Sequence, residues 1–161
     1  MKSFVRVVVA GMFLFALPAF AETGGSADTS MEILAQKLKA DKKLLVANNL
    51  ELTDAESKGF WPLYDMYQKD LQLVNERLRK TISDYADAYT QGKGSISNDT
   101  AKKLLKETIL VEEKEVVLKR EYADKIGKVL PATKTARYIQ IENKIRAIIK
   151  MELAKQIPLV Y

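Results

Sequence analysis

Apolar side chains recur every three or four residues through most of the chain after residue 30, and this is the spacing of one face of an α-helix. The longest stripe predicts a single helix of about 35 residues. Pro62 lies inside it and lacks an amide hydrogen, so we expect a kink, or a separate short first turn, between Gly59 and Pro62. The stripe consists of Phe60, Tyr64, Tyr67, Leu71, Val74, Leu78, Ile82, Tyr85 and Tyr89.

The start of this long helix carries its own sequence signal. Thr53 followed by Glu56 fits a capping box, in which each side chain bonds the backbone amide of the other residue. A shorter helix is predicted before it, from Met31 to Asn48, with Ser30 as its N-terminal cap. The sequence therefore predicts two helices before residue 91.

Two more helices are predicted in the second half of the chain. A Gly- and Ser-containing turn at 91–95 precedes Ser97, which is suited to cap the third helix. Pro131 ends that helix and fits the first turn of a fourth, which Pro158 terminates. The third stripe consists of Ala101, Leu104, Thr108, Val111, Glu115, Leu118, Tyr122, Ile126 and Val129, and the fourth of Tyr138, Ile141, Ile145, Ile148 and Ile149.

The predicted fold class is all-α, since strand-like alternation is missing from the sequence. Two long helices joined by a short turn form an antiparallel hairpin with coiled-coil-like spacing, on which the two shorter helices pack. We expect an elongated helical domain over 31–157, with a short apolar tail at 158–161. A thin body of this kind leaves apolar surface exposed, so we also expect a homodimer.

The N-terminus has the organisation of an export signal. Lys2 and Arg6 precede an apolar run from Val7 to Phe15, and a small-x-small cleavage site ends at Ala21. We interpret 1–21 as a cleaved signal peptide, with an uncleaved N-terminal anchor as the alternative. The segment 22–30 is small and polar, which predicts a flexible mature N-terminus.

The amino-acid composition excludes several kinds of catalytic and metal site. The chain contains neither cysteine nor histidine, which excludes the Cys and His ligand sets of zinc and copper sites and His-based proton shuttling. Carboxylate-only metal binding remains open, although the acidic residues Glu112, Glu113 and Glu115 are best interpreted as surface ion pairs. The net charge of +5 is too mild to indicate nucleic-acid binding. We therefore expect no enzyme activity and no cofactor.

Leu52, Thr53 and Glu56 belong to the segment LTDAE, which resembles the LTxxQ motif of the Spy/CpxP-like periplasmic proteins, with Glu56 in place of Gln. The segments FWPLY at 60–64 and LPATKTARY at 130–138 look like signatures of an uncharacterised branch. The resemblance covers roughly residues 31 to 157. The zinc-binding members of that family use histidine, so their metal chemistry is not expected here.

The resemblance implies an ATP-independent periplasmic chaperone whose helical dimer binds unfolded or envelope proteins on a concave face with apolar and basic groups. One alternative is a regulator that docks on the sensor domain of an envelope-stress kinase. Another is a structural adaptor whose helices bind one fixed partner.

Four aromatic residues around Pro62 are candidate protein-binding residues, namely Phe60, Trp61, Tyr64 and Tyr67. They form either a contact surface for clients or a second copy, or anchors that hold the first and fourth helices.

Five basic residues are further candidates, and they comprise Lys42, Lys43, Arg77, Arg79 and Lys80. They either attract acidic clients or anionic lipid headgroups, or form solvated helix faces. Contact with a membrane surface is not expected.

Overall fold

The computed structural model describes residues 40–160, and all regular elements in this range are α-helices, which confirms the all-α prediction there. We label them α1, whose described part is 40–50, α2 (Asp54–Gln91), α3 (Asn98–Ile126) and α4 (Ala132–Gln156). The predicted signal peptide, the segment 22–30 and the predicted start of α1 lie outside the described residues. Within 40–160, no helix is long and apolar enough to span a bilayer.

The long helix α2 begins at the predicted capping box, which is confirmed. Thr53 Oγ1 accepts a bond from the Glu56 amide at 3.3 Å, and the Thr53 amide donates to Glu56 Oε2 at 2.8 Å. From there α2 continues for 38 residues, a length of about 57 Å. The helix includes Pro62 without interruption, so the predicted separate turn is wrong. Pro62 itself is exposed, while Phe60 and Tyr64 on either side of it are buried in the core.

The ends of α1 and α3 differ from the predicted ones by a few residues. α1 continues past Asn48 to residue 50 and stops where Glu51 takes a positive φ of 49°. The predicted cap of α3 is confirmed, because Ser97 Oγ accepts the Thr100 amide at 3.2 Å. α3 ends at Ile126, so Val129 lies in the following turn and not in the helix.

That turn packs closely against α2. A Cβ atom placed on Gly59 would lie 3.1 Å from Val129 Cβ, so the absence of a side chain at Gly59 permits the approach. The turn between α2 and α3 also needs a glycine, since Gly94 has a φ of +102°, a conformation that other residues rarely adopt.

The helices alternate in direction. Tyr122 of α3 donates to Asp70 Oδ2 of α2 at 2.6 Å, which ties together the two arms of the predicted antiparallel hairpin. α4 returns parallel to α2, with Tyr138 beside Gln68 at one end and Leu153 beside Ile82 further along. The described part of α1, residues 40–50, is antiparallel to α2 and packs against one end of it.

The core is concentrated at that end, where α1 is present. Its buried members are Val46, Leu50, Phe60, Tyr64, Tyr67, Leu71, Tyr122, Ile126, Leu130 and Tyr138. The second cluster is much smaller and has Ile82 and Leu153 as its buried members. Within residues 40–160, most of the buried apolar side chains therefore lie at one end of the bundle.

Candidate functional site

The aromatic candidates mostly form the interior of the protein. Phe60, Tyr64 and Tyr67 are at most 3% exposed, and they surround Tyr138 of α4 at ring-centroid distances of 5.1, 6.1 and 6.3 Å. The interpretation of these three rings as an open contact surface is therefore corrected: they anchor α4 to α2. Trp61 is half-buried, and the Lys43 ammonium lies 5.2 Å from its ring centroid.

The buried tyrosines keep their protons because of their surroundings. Burial, with a smaller contribution from the Glu142 carboxylate, raises the pKa of Tyr64, Tyr67 and Tyr138 above the ordinary value of 10. Burial and the hydrogen bond to Asp70 raise the pKa of Tyr122 to about 12. These hydroxyls act as neutral hydrogen-bonding groups, and none is prepared to act as a base.

A groove of about 640 Å³ lies next to this core, between α2 and α4 and beside the described part of α1. Its apolar lining comes from Tyr64, Tyr67, Leu71, Ile145 and Ile149. Its cationic lining is Lys42, Lys43, Lys69, Arg79, Lys119 and Arg146, against the carboxylates Asp65, Glu115 and Glu142. The groove thus combines an apolar floor with an excess of positive charge.

Glu142, one of the two buried carboxylates of the groove, is fully paired. The Lys42 ammonium donates to Glu142 Oε2 at 2.8 Å, and Gln68 Nε2 donates to Glu142 Oε1 at 3.0 Å. Lys42 also donates to Gln68 Oε1 at 2.8 Å. This triangle joins α1, α2 and α4, so Lys42 is a structural cation as well as a groove residue.

Glu115 of α3, the other buried carboxylate, is bonded to Arg146. The guanidinium donates to Glu115 Oε2 through Nε at 2.9 Å and through Nη2 at 2.5 Å. Its Nη1 donates to Asn75 Oδ1 of α2 at 2.8 Å. The negative charge of Glu115 is therefore compensated inside the groove.

The remaining cations set the charge of the groove rim. Lys69 has neither a salt bridge nor a side-chain hydrogen bond within residues 40–160, and Arg79 has only an exposed contact to Glu76 at 3.7 Å. Lys119 donates to Asn143 Oδ1 at 2.9 Å, with Glu115 at 4.0 Å. The excess positive charge of the groove attracts anionic groups, and its apolar floor can pack against apolar ones. The groove contains no nucleophile activated by a base.

Arg77 and Lys80, the other two basic candidates, lie outside the groove. Arg77 bonds Glu107 through both Nε and Nη2, which links α2 to α3 and lowers the pKa of the Glu107 carboxyl. Lys80 pairs with Asp84 on the surface of α2 at 2.8 Å. Of these three basic candidates of α2, Arg79 alone lines the groove, because helical spacing places Arg77 and Lys80 on a different side of the helix.

The motif residues have positions that stabilise the fold. Leu52 packs against the main core, and Glu56, besides capping α2, accepts a 2.7 Å bond from Lys134 of α4. Lys134 also donates to the Glu51 carbonyl at 2.7 Å. The hydrogen bond from Lys134, followed by that from the Thr53 backbone, lowers the pKa of Glu56.

Sequence reasoning missed four polar residues that shape the groove, namely Gln68, Asn75, Glu142 and Arg146. A signal for Glu142 existed, because it follows Tyr138 by four residues and so shares its helix face. Glu115 likewise interrupted the apolar stripe of α3. The part of the chain that the structure describes contains no group of three or more metal-ligating side chains.

Comparison with protein-family models, with curated proteins and with solved structures finds no match for this chain.

Proposed function

We propose that this protein is a periplasmic, ATP-independent chaperone-like protein of the Spy/CpxP kind, which binds unfolded or envelope proteins without covalent chemistry. The observation that carries the proposal is the open groove between α2 and α4, which combines an apolar floor with an excess of cationic over anionic side chains in its lining. The export pattern at residues 1–21 supports the proposed location. The activity is binding alone, with no cofactor.

The groove suits segments of unfolded proteins that mix apolar and acidic residues. Unfolded chains expose apolar side chains, and the floor around Leu71, Ile145 and Ile149 offers them a surface shielded from water. Lys69 and Arg79 add long-range attraction, which raises the rate of encounter without fixing one geometry. Such contacts are weak and reversible, so release requires no nucleotide.

The test is suppression of aggregation of chemically denatured model clients, with equimolar protein and no ATP. Reversing the rim charges with Lys69→Glu and Arg79→Glu together is expected to weaken capture roughly threefold to tenfold, since each exposed charge contact contributes less than about 1 kcal/mol. The matched control is Lys58→Glu with Lys128→Glu, which makes the same charge change at exposed positions outside the groove. The control is expected to capture clients as the wild type does.

Two results would contradict the proposal. One is no suppression with any of several clients. The other is retention of one stoichiometric membrane protein in place of many clients, which would favour the docking role on a sensor kinase.

A further inference from the structure

The outer face of α3 carries a row of charges that alternate in sign at every seventh residue. The row is formed by Asp99, Lys106, Glu113 and Arg120. All four are exposed, and within residues 40–160 their side chains form neither salt bridges nor hydrogen bonds. These charges are therefore available to an external partner.

Large apolar side chains lie along one side of this charge row. Leu105, Ile109 and Val116 are 63%, 48% and 53% exposed. Their spacing of four and seven residues places them on one side of the helix, while Val111 and Tyr122 of the same helix face the bundle interior. Exposed apolar side chains grouped beside a row of charges are typical of a surface that meets another protein.

We propose that this face of α3 binds a second copy of the chain, with the two α3 helices antiparallel across a twofold axis. The proposal does not depend on the proposed function, because the charge row and the apolar strip lie outside the groove, and Lys119 alone borders both surfaces. Charge complementarity favours this arrangement. From residue 99 to residue 120 the row is negative, positive, negative and positive, so in an antiparallel pair each charge of one copy faces an opposite charge of the other.

A single register satisfies every charge in the row. Asp99 of one copy lies opposite Arg120 of the other, and Lys106 lies opposite Glu113. In each pair the two residue numbers are centred between 109 and 110, so one antiparallel alignment of the two helices forms both pairs. Twofold symmetry makes each pair occur twice. A parallel arrangement would place each charge opposite its own kind, which disfavours it.

The same register also covers the apolar strip. Leu105 of one copy packs against Val116 of the other, and Ile109 packs on the methylene groups of Glu112, whose carboxylate is held by Lys150 at 3.3 Å. Lys102 approaches Lys119, an unfavourable contact that is limited because the Lys119 ammonium is directed towards Asn143.

The test is the dimer dissociation constant of protein purified after expression of the complete chain, measured by sedimentation equilibrium. Lys106→Glu alone and Glu113→Lys alone each replace two attractive pairs by two repulsive ones, so each is expected to weaken the dimer about tenfold. The double variant Lys106→Glu/Glu113→Lys restores both pairs with reversed polarity and is expected to regain wild-type affinity. Lys103→Glu, at an exposed position off the row, is the matched control and leaves the constant unchanged.

A second variant tests the apolar strip. Ile109→Asp changes an exposed residue, so it is expected to keep the helical circular dichroism of the wild type and to weaken the dimer more than tenfold. The proposal is overturned by a wild-type chain that stays monomeric up to about 1 mM, where even a weak interface is populated. It is also overturned if the double charge swap dimerises no better than the single variants.

Discussion

Arg146 of α4 and Glu115 of α3 form a buried ion pair, with side chains that are 12% and 7% exposed. Arg146 also bonds Asn75 of α2, so one guanidinium fixes the relative positions of three helices. All three residues line the groove, so this network joins α2, α3 and α4 at the groove wall.

Breaking this pair should destabilise the protein strongly. Arg146→Met removes the closest cation from the buried Glu115 carboxylate and leaves it only the Lys119 ammonium at 4.0 Å, so we expect a loss of about 3–5 kcal/mol in the free energy of unfolding. The double variant Glu115→Met/Arg146→Met removes the uncompensated charge and is expected to recover most of that loss. Urea unfolding followed by circular dichroism measures both, and a double variant as unstable as the single one would contradict the prediction.

Tyr138 contributes to stability mainly through its ring. Tyr138→Ala removes a fully buried side chain from between Phe60, Tyr64 and Tyr67 and is expected to cost about 3–5 kcal/mol. Tyr138→Phe keeps the ring and loses a hydroxyl that accepts a long bond from Gln68 at 3.4 Å and interacts with the Glu142 carboxylate, so its cost is expected to be about 1 kcal/mol. Thermal unfolding of the two variants separates the contribution of the ring from that of the hydroxyl. Equal destabilisation by the two substitutions would contradict the prediction that the ring contributes most.

The capping box should contribute a measurable part of the stability. Thr53→Ala removes the acceptor for the Glu56 amide and is expected to lower the free energy of unfolding by about 1 kcal/mol. Thr108→Ala is the control, because the Thr108 hydroxyl only bonds the Leu104 carbonyl within α3 and its loss is expected to cost less than about 0.5 kcal/mol. A larger effect at Thr108 than at Thr53 would exclude a capping role.

Stability should fall in acid partly because of Glu56. The hydrogen bonds from Lys134 and Thr53 lower its pKa in the folded state below the ordinary value of 4.5, so the unfolded state binds a proton first as the pH drops. The contribution of Glu56 is therefore present above about pH 4.5 and is lost as the pH falls through the folded pKa. Unfolding titrations of the wild type and Glu56→Gln at several pH values should converge in acid, and a constant difference would contradict this linkage.

Alkaline pH should also unfold the protein. Burial raises the folded pKa of Tyr64, Tyr67, Tyr122 and Tyr138 above 10, so the unfolded state loses these protons first. Stability is expected to decline as the pH rises above about 10, with tyrosinate absorbance increasing together with the loss of helical signal. Ionisation of all the tyrosines near pH 10 without unfolding would show that the rings are accessible to water.

Local signals in the sequence predicted the helices but left the role of the aromatic candidates open. Thr53, Glu56 and Ser97 could be identified as caps because a cap involves residues only three positions apart. The spacing of Phe60, Tyr64 and Tyr67 predicted one buried or contacting face. The spacing did not indicate whether that face packs against α4 or against another molecule, because both kinds of contact require the same apolar residues.

By itself, the amino-acid sequence determined the helical class of residues 40–160, the start of α2 and the positions of the turns, because these depend on periodicity and on contacts between near neighbours. Only the tertiary structure decided that Tyr138 fills the aromatic core, that Arg146 pairs with Glu115, and that Arg79 lines the groove while Arg77 does not. Those outcomes depend on the rotation and register of helices distant in sequence. Periodicity identifies which face of a helix is apolar, but it does not specify the neighbour against which that face packs.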